Sequence, residues 1–365
     1  MELNRRSLAT KEGTETFFAQ HNIHPDKIRD LDGLQISALS VGTRLGPADD
    51  PTDQNYMDAL VLCISHGINA IDTASHYRKQ RSEKLLKSVF QKLRGLGVER
   101  DQLILSSKGG FIPESAESDS YEGYVRSRYV ERGILRQNDV LQGCHSIAPK
   151  FLAEELEHSL ENMGVECIDL YYIDGPELIC RASGEEVFEE RISAAFALLE
   201  EKVREGKIAR YGIASWNGFR QKQGTKGLLH LERLCHLAES VGGEKHHFRA
   251  VQFPFNMVML ETLKTRNQPE EKSLVQVLEE QAIHATIASP LMQARVLSLP
   301  KHVFAGMPEE LSPSLQALQF VTSWPWSSVV VGMRNEEHVH DNLKLLQRPN
   351  WSAEQMERVV GMLGI

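Results

Sequence analysis

An acid, a phenol and a lysine stand at the ends of apolar runs in this chain. Asp72 and Tyr77 fall within residues 69–84, NAIDTASHYRKQRSEK, which begins as a short buried strand and ends as a helix. Lys108 closes a second apolar run, residues 103–110, LILSSKGG. A third run, IDLYYIDGP at 168–176, ends on Asp174. A free phenol holds its proton to about pH 10. A cation beside it stabilises the phenolate, so Asp, Tyr and Lys at strand ends describe a proton-transfer site. Each residue alone has a plainer reading. Asp72 suits a helix N-cap, Tyr77 a rim aromatic, and Lys108 a lysine snorkelling to the surface. The register of the three favours chemistry. Asp174 divides evenly between a structural cap and a member of the site.

These residues need strands to present them. Apolar runs fall at 37–42, 69–73, 103–107, 168–173, 209–214, 250–255, 285–288 and 328–331, alternating with segments of helical periodicity. Continuous apolar strands are those of a parallel sheet buried on both faces. Eight β/α repeats predict an α/β fold, a closed (β/α)8 TIM barrel, over an open doubly wound sheet. No GxGxxG follows the first strand, which weighs against a Rossmann domain. In a barrel every C-terminal strand end opens on one mouth. Asp72, Lys108, Asp174, Ser215, Gln252 and Gly332 are then expected around one pocket. Residues 1–36 read as an N-terminal extension with a short helix near 10–20, and 37–365 as a single barrel. Residues 111–148, which carry Tyr121, Tyr124 and Tyr129, form a long loop after the third strand, of the length that usually serves as a lid or substrate loop. A last helix at 352–363, with Ser352 as N-cap, lies beyond the repeat.

Composition sets the class. The chain has 365 residues, 41% hydrophobic and 25% charged, with a net charge of -9. An acidic balance argues against a general partner in nucleic acid or anionic membrane. No apolar run reaches membrane-spanning length, and the N-terminus lacks the apolar core of a secretory signal. Five cysteines without close pairs read as reduced thiols of a cytoplasmic protein. His145, His246 and His247 lack metal-ligand spacing, so no metal is expected. A small-molecule substrate is the expected partner; the oligomeric state is left open.

As a set, GINAIDTASHYRKQRSE, SSKGG, SLENMGVECIDLYYID, GKIARYGIASWNGF, VQFPFN and VVVGMRNEEHVHDN resemble the aldo-keto reductase superfamily, in the family's order and over most of the chain. Several pieces, HSIAP among them, resemble one bacterial branch. The resemblance implies NADP(H)-dependent carbonyl reduction, with NAD(H) not excluded. It implies Tyr77 as proton donor, assisted by Lys108 and Asp72, with Lys108 lowering the phenol's pKa toward working pH. It puts the cofactor on Thr43, Ser215, Asn217 and Gln252, on Ser289, Leu291 and Gln293 along the pyrophosphate, and on Gly332, Arg334, Asn335 and Asn342 at the adenosine end. Arg334 is the candidate for a 2'-phosphate, since position 332 is glycine here and position 338 histidine.

Two departures stand out. The family's catalytic histidine position holds Asp174, and an aromatic position after the first strand holds Arg44, a candidate substrate residue. Three readings follow. Arg44 and Asp174 pair. Or Arg44 grips an anionic substrate while Asp174 stays protonated and donates to the carbonyl. Or reductase activity is weakened and the barrel chiefly binds cofactor, because an ionised Asp174 opposes an oxyanion. The first two together are favoured. An acid in place of histidine also suits C=C reduction.

Overall fold

The computed structural model describes residues 8–114, 120–308 and 311–363. Among the described residues ten strands form: β1 (Ile28–Leu31), β2 (Leu34–Ser37), β3 (Leu39–Gly42), β4 (Ala70–Asp72), β5 (Ile104–Gly109), β6 (Ile168–Asp174), β7 (Ile208–Ala214), β8 (Phe248–Pro254), β9 (His284–Ala288) and β10 (Ser327–Gly332). β3 to β10 are the eight strands the sequence predicts. They pair in parallel as a closed barrel, shut where β10 lies on β3 with Val329 opposite Leu39 and Gly332 opposite Gly42. Helices fill the crossovers and pack apolar faces on the strands, as parallel sheets require.

Register places the chemistry. Gly42 pairs with Asp72, Asp72 with Ser106, Lys108 with Tyr172, and Asp174 with Ala214, which pairs with Gln252. The expected residues therefore share one end of the barrel. The two glycines after Lys108 permit this approach. A Cβ on Gly109 would lie 2.5 Å from the Tyr171 hydroxyl, and one on Gly110 2.3 Å from the Asp174 carbonyl oxygen.

The N-terminal extension is the barrel's floor. A helix, Lys11–Ala19, is capped by Thr10. β1 and β2 then make a hairpin whose two-residue turn, Asp32-Gly33, has φ of 53° and 84°. Both positive angles suit the Asp-Gly turn that matches strand twist. Leu31, Leu34 and Ile36 close a small apolar cluster with Ala70, Ile104, Leu170 and Tyr172 inside the barrel. Polar groups bolt the floor to the last part of the chain. Buried Lys27 reaches Gln319, Thr322 and Asn350, and Arg29 donates to the carbonyls of Thr322 (2.7 Å) and Ser327 (3.1 Å).

Asn69 holds the floor to the first turn of β4. Its Oδ1 accepts from the Ser37 amide at 2.9 Å, and its Nδ2 donates to the Gln35 carbonyl at 2.9 Å. Asn69→Ala leaves both buried backbone groups unpaired. It is expected to cost about 1–3 kcal/mol in urea unfolding.

The loop after β5 is partly ordered into turns, at Tyr121–Val125, Arg126–Val130 and Gln137–Asp139. Tyr129 pins it. The ring is fully buried against Phe151, and its hydroxyl donates to Glu155 at 2.7 Å. Among the described residues, no helix is long and apolar enough to cross a membrane and no metal-holding cluster forms. All five cysteines are unpaired.

Candidate active site

Lys108 rises from β5 into the mouth and is almost fully buried. Its Nζ lies 2.7 Å from both carboxylate oxygens of Asp72 on β4 and donates to the Thr73 carbonyl at 3.0 Å. Burial, the largest single influence, pulls the lysine's pKa down; Asp72, Tyr77 and Asp174 together outweigh it and raise the pKa. Asp72 in turn accepts from Gln252 at 2.9 Å and Ser106 at 3.2 Å. Three donors thus meet Oδ1 and the ammonium also meets Oδ2, which is how a buried ion pair offsets its desolvation.

Tyr77 stands beside this pair, with the Lys108 ammonium 5.1 Å from the centre of its ring. Burial pushes the phenol up to about 12. Lys108 opposes this, while Asp72 and Asp174 add to it. The expected lowering toward working pH is therefore outweighed. Burial is the largest influence, and the two acids that flank the phenol add to it.

The segment after Tyr77 is under backbone constraint. Arg78, Lys79 and Gln80 have φ of 50°, 55° and 72°, left-handed values that are costly for residues with side chains. Their neighbours hold them there. Arg78 pairs with Asp53 and donates to the Pro47 carbonyl, and Arg81 pairs with Asp50 and Asp53. Ser82 donates to the Thr43 carbonyl at 2.7 Å, and buried Glu83 accepts from Ser107 at 2.6 Å and Asn162 at 2.9 Å. The run RKQRSE is the clamp that aims Tyr77.

Asp174, at the end of β6, is mostly buried, and burial raises its carboxyl to about 7. Lys108 and Arg44 oppose the rise; Glu177 and Asp72 support it. The side chain that the Asp174 carboxyl meets is not Arg44, which is exposed after β3 and makes no ion pair with it. The neighbour is His76, whose Nε2 lies 3.7 Å from Asp174 Oδ2. His145 adds a 2.8 Å hydrogen bond from Nε2 to the Asp174 carbonyl oxygen. The His76 ring meets Tyr77 edge-on at 4.7 Å and Phe111 at 5.3 Å. Burial first, then the charges of Lys108 and Arg44, hold its imidazole down at about 3, so the ring is neutral. Sequence reading passed over His76, although it sits directly before Tyr77. His145, which the sequence offers as a packing or hydrogen-bonding residue, is hydrogen-bonded here.

The remaining expected residues line the rim unevenly. Thr43 is buried and bonded to Thr73 at 2.9 Å. Ser215 accepts from the Gly218 amide, so its oxygen is partly engaged. Asn217, Gln293 and Arg334 are exposed, and Ser289 and Leu291 half-buried. Ser289 and Gln293 both take left-handed φ, of 54° and 52°. Gly332 is exposed, and a Cβ there would press on Leu45 at 3.3 Å, so the end of β10 is bare backbone. Asn335 caps the helix Glu336–Leu343, accepting from the Glu337 amide at 2.9 Å and the His338 amide at 3.4 Å. Asn342 is buried on the same helix. These polar and bare backbone groups, Arg334 among them, follow β7, β9 and β10 and are the residues that could hold a dinucleotide.

Known proteins agree with this architecture. An aldo/keto reductase of Klebsiella pneumoniae, solved with NADP and acetate, superposes with a TM-score of 0.61 over 93% of this chain and 95% of that one, at 18% identity. The holo form of an aldo-keto reductase from Bacillus halodurans gives 0.62 over 92% and 96%, at 19% identity. An NADH-specific methylglyoxal reductase of Escherichia coli K12 is 26% identical over 187 residues. That stretch is 50% of this chain and 49% of the relative, so the match spans about half of each. The sequence profile described as Aldo/keto reductase family matches residues 38–363, which take in all eight barrel strands, Asp72, Tyr77, Lys108 and Asp174. On that match and the shared barrel, the chain belongs to the aldo/keto reductase family.

Proposed function

We propose that this chain is a nicotinamide-dependent oxidoreductase that reduces a small polar carbonyl, with Tyr77 as the proton donor. The observation that carries this reading is the Lys108 ammonium, gripped by Asp72 and held 5.1 Å over the Tyr77 ring. A buried lysine–carboxylate pair is expensive to desolvate and weak as a stabilising device. Placed beside a phenol at a barrel mouth, it has a use. As the proton leaves Tyr77, the ammonium stabilises the phenolate that forms, and Asp72 keeps the ammonium in place.

A bound nicotinamide supplies the hydride. Asn217, Ser289, Gln293 and Arg334 would hold the dinucleotide along the rim. The family relatives point both ways on the cofactor, one solved with NADP and one named as NADH-specific. Arg334 favours NADP(H), because a guanidinium grips a phosphate bidentately. Glu336 and Glu337 in the next turn temper that preference. Arg334→Ala is expected to raise KM for NADPH about tenfold and leave KM for NADH within about twofold, as measured by steady-state kinetics with both cofactors. An equal change for the two would show that Arg334 does not read the phosphate.

With Tyr77 pushed to about 12, it is protonated across the working range. A protonated phenol serves reduction directly, whereas oxidation needs the phenolate. Wild type assayed against a panel of small aldehydes, methylglyoxal included, with NADPH and NADH tests the reading. Tight cofactor binding without turnover of any carbonyl would leave a cofactor-binding barrel in its place. The unpaired, mostly buried thiols support a reducing, cytoplasmic setting. The net charge of -9 supports a small-molecule partner over nucleic acid.

A further inference from the structure

A carbonyl oxygen approaching Tyr77 meets other polar heads in the same corner of the mouth. Two of them are uncharged donors when the site is in its acid form. His76 comes from the loop that ends in Tyr77, and Asp174 from the end of β6, across β5. Their side chains keep about a fifth of their surface exposed, 21% and 19%, so both face the opening while their bodies are buried.

The spacing matters. At 3.7 Å, His76 Nε2 and Asp174 Oδ2 are too far apart for a good hydrogen bond to each other. They are well placed to converge on a third atom about 2.8 Å from each. The tautomer is set by the other nitrogen. Nδ1 is buried without a partner, so the ring proton belongs on Nε2, where an acceptor can reach it. The ring is wedged between Tyr77, which it meets edge-on, and Phe111, which it meets at a tilt. Phe111 packs in turn on His145, which fixes the Asp174 backbone. Both donors are therefore preorganised, the property that makes electrostatic stabilisation of an oxyanion effective.

We propose that His76 and Asp174 form a donor pair that clamps the substrate's carbonyl oxygen beside Tyr77, His76 donating from Nε2 and Asp174 from its carboxyl. This deepens the carbonyl-reductase reading and rests on it. The histidine expected at position 174 is then supplied from position 76, by a different strand end. In the reaction, hydride adds to the carbonyl carbon and the C=O π electrons move to oxygen. That oxygen takes the Tyr77 proton, and the phenolate recovers a proton from solvent. The pair keeps its own protons throughout.

The clamp has an alkaline limit. Asp174 is faced by Lys108 from β5, Asp72 from β4, Arg44 after β3, Glu177 after β6, and by His76, Tyr77 and His145. Burial dominates and sets its proton loss near pH 7. Above that, the carboxylate draws the His76 N–H to itself and sets an anion against the developing oxyanion. Below it, both groups donate.

Two measurements test the pair. The first needs no turnover. In 15N-histidine spectra of the folded protein, His76 is expected to remain a neutral Nε2–H ring from pH 5 to 9. Its Nε2 signal should step near pH 7, and the step should vanish in Asp174→Asn. A His76 that titrates by itself near 6.5, or ignores Asp174→Asn, overturns the pair. The second is kinetic, with methylglyoxal as probe. His76→Leu is expected to lower kcat about 100-fold, with His76→Gln, which keeps an N–H, recovering part of it. The wild-type rate should fall about tenfold or more from pH 6 to 8.5, and that ratio should flatten in Asp174→Asn. If His76→Leu matches wild type while Tyr77→Phe is dead, the reductase reading stands and the pair falls. If wild type reduces no carbonyl, the reductase reading falls, and with it the clamp on a carbonyl oxygen.

Discussion

Tyr77→Phe is expected to lower carbonyl turnover by about 10²–10⁴-fold while the protein stays folded. The ring is buried against His76 and under the Lys108 ammonium, and phenylalanine keeps both contacts. What is lost is the proton. Single-turnover hydride transfer, followed by the fading of cofactor absorbance, is the measurement. KM for the cofactor should not move, because the rim residues that would hold it, Asn217, Ser289, Gln293 and Arg334, lie in the segments after β7, β9 and β10. Unchanged turnover would remove Tyr77 from the chemistry and, with it, the reading of the mouth as a reductase site.

The second large effect belongs to Lys108. Lys108→Met leaves Asp72 buried with only Gln252 and Ser106 as donors. Breaking a buried pair on one side costs about 3–5 kcal/mol. A lowered midpoint in urea is therefore expected together with loss of turnover. Asp72→Asn combined with Lys108→Met removes both charges and should recover most of the stability without recovering activity. That separation distinguishes a catalytic pair from a structural one. If the double variant is active, the ammonium has no role in proton transfer.

The barrel was legible because it is periodic. Eight apolar runs alternate with helical segments, and β3 to β10 lie where those runs fall. Asp72, Tyr77 and Lys108 were legible for a related reason, since strand ends in a barrel converge. The hairpin of β1 and β2 carried a readable signal that went unused. Asp32-Gly33 between IRDL and LQIS is a two-residue turn between short strands. The partnership of His76 and Asp174 was not legible. It depends on how far the Tyr77 loop leans toward β6, and that lean is set by the left-handed run Arg78–Gln80 and its arginine clamps. The same limit applies to Asn335, whose side chain is engaged by its own helix, and to the Tyr77 phenol, whose direction of shift is a contest between burial and nearby charges.

The floor of the barrel has a consequence for biosynthesis. Lys27 and Arg29 leave the ribosome early, yet their partners run from Gln319 to Asn350. At roughly 5–20 residues per second, the nascent chain waits tens of seconds between making the hairpin and making the surface that seats it. Throughout that interval Leu31, Leu34 and Ile36 have no barrel to enter. The hairpin is translated long before the groups that bolt it down, and a chain stopped short of Asn350 would carry a loosely seated apolar hairpin into the cell's chaperone and protease traffic.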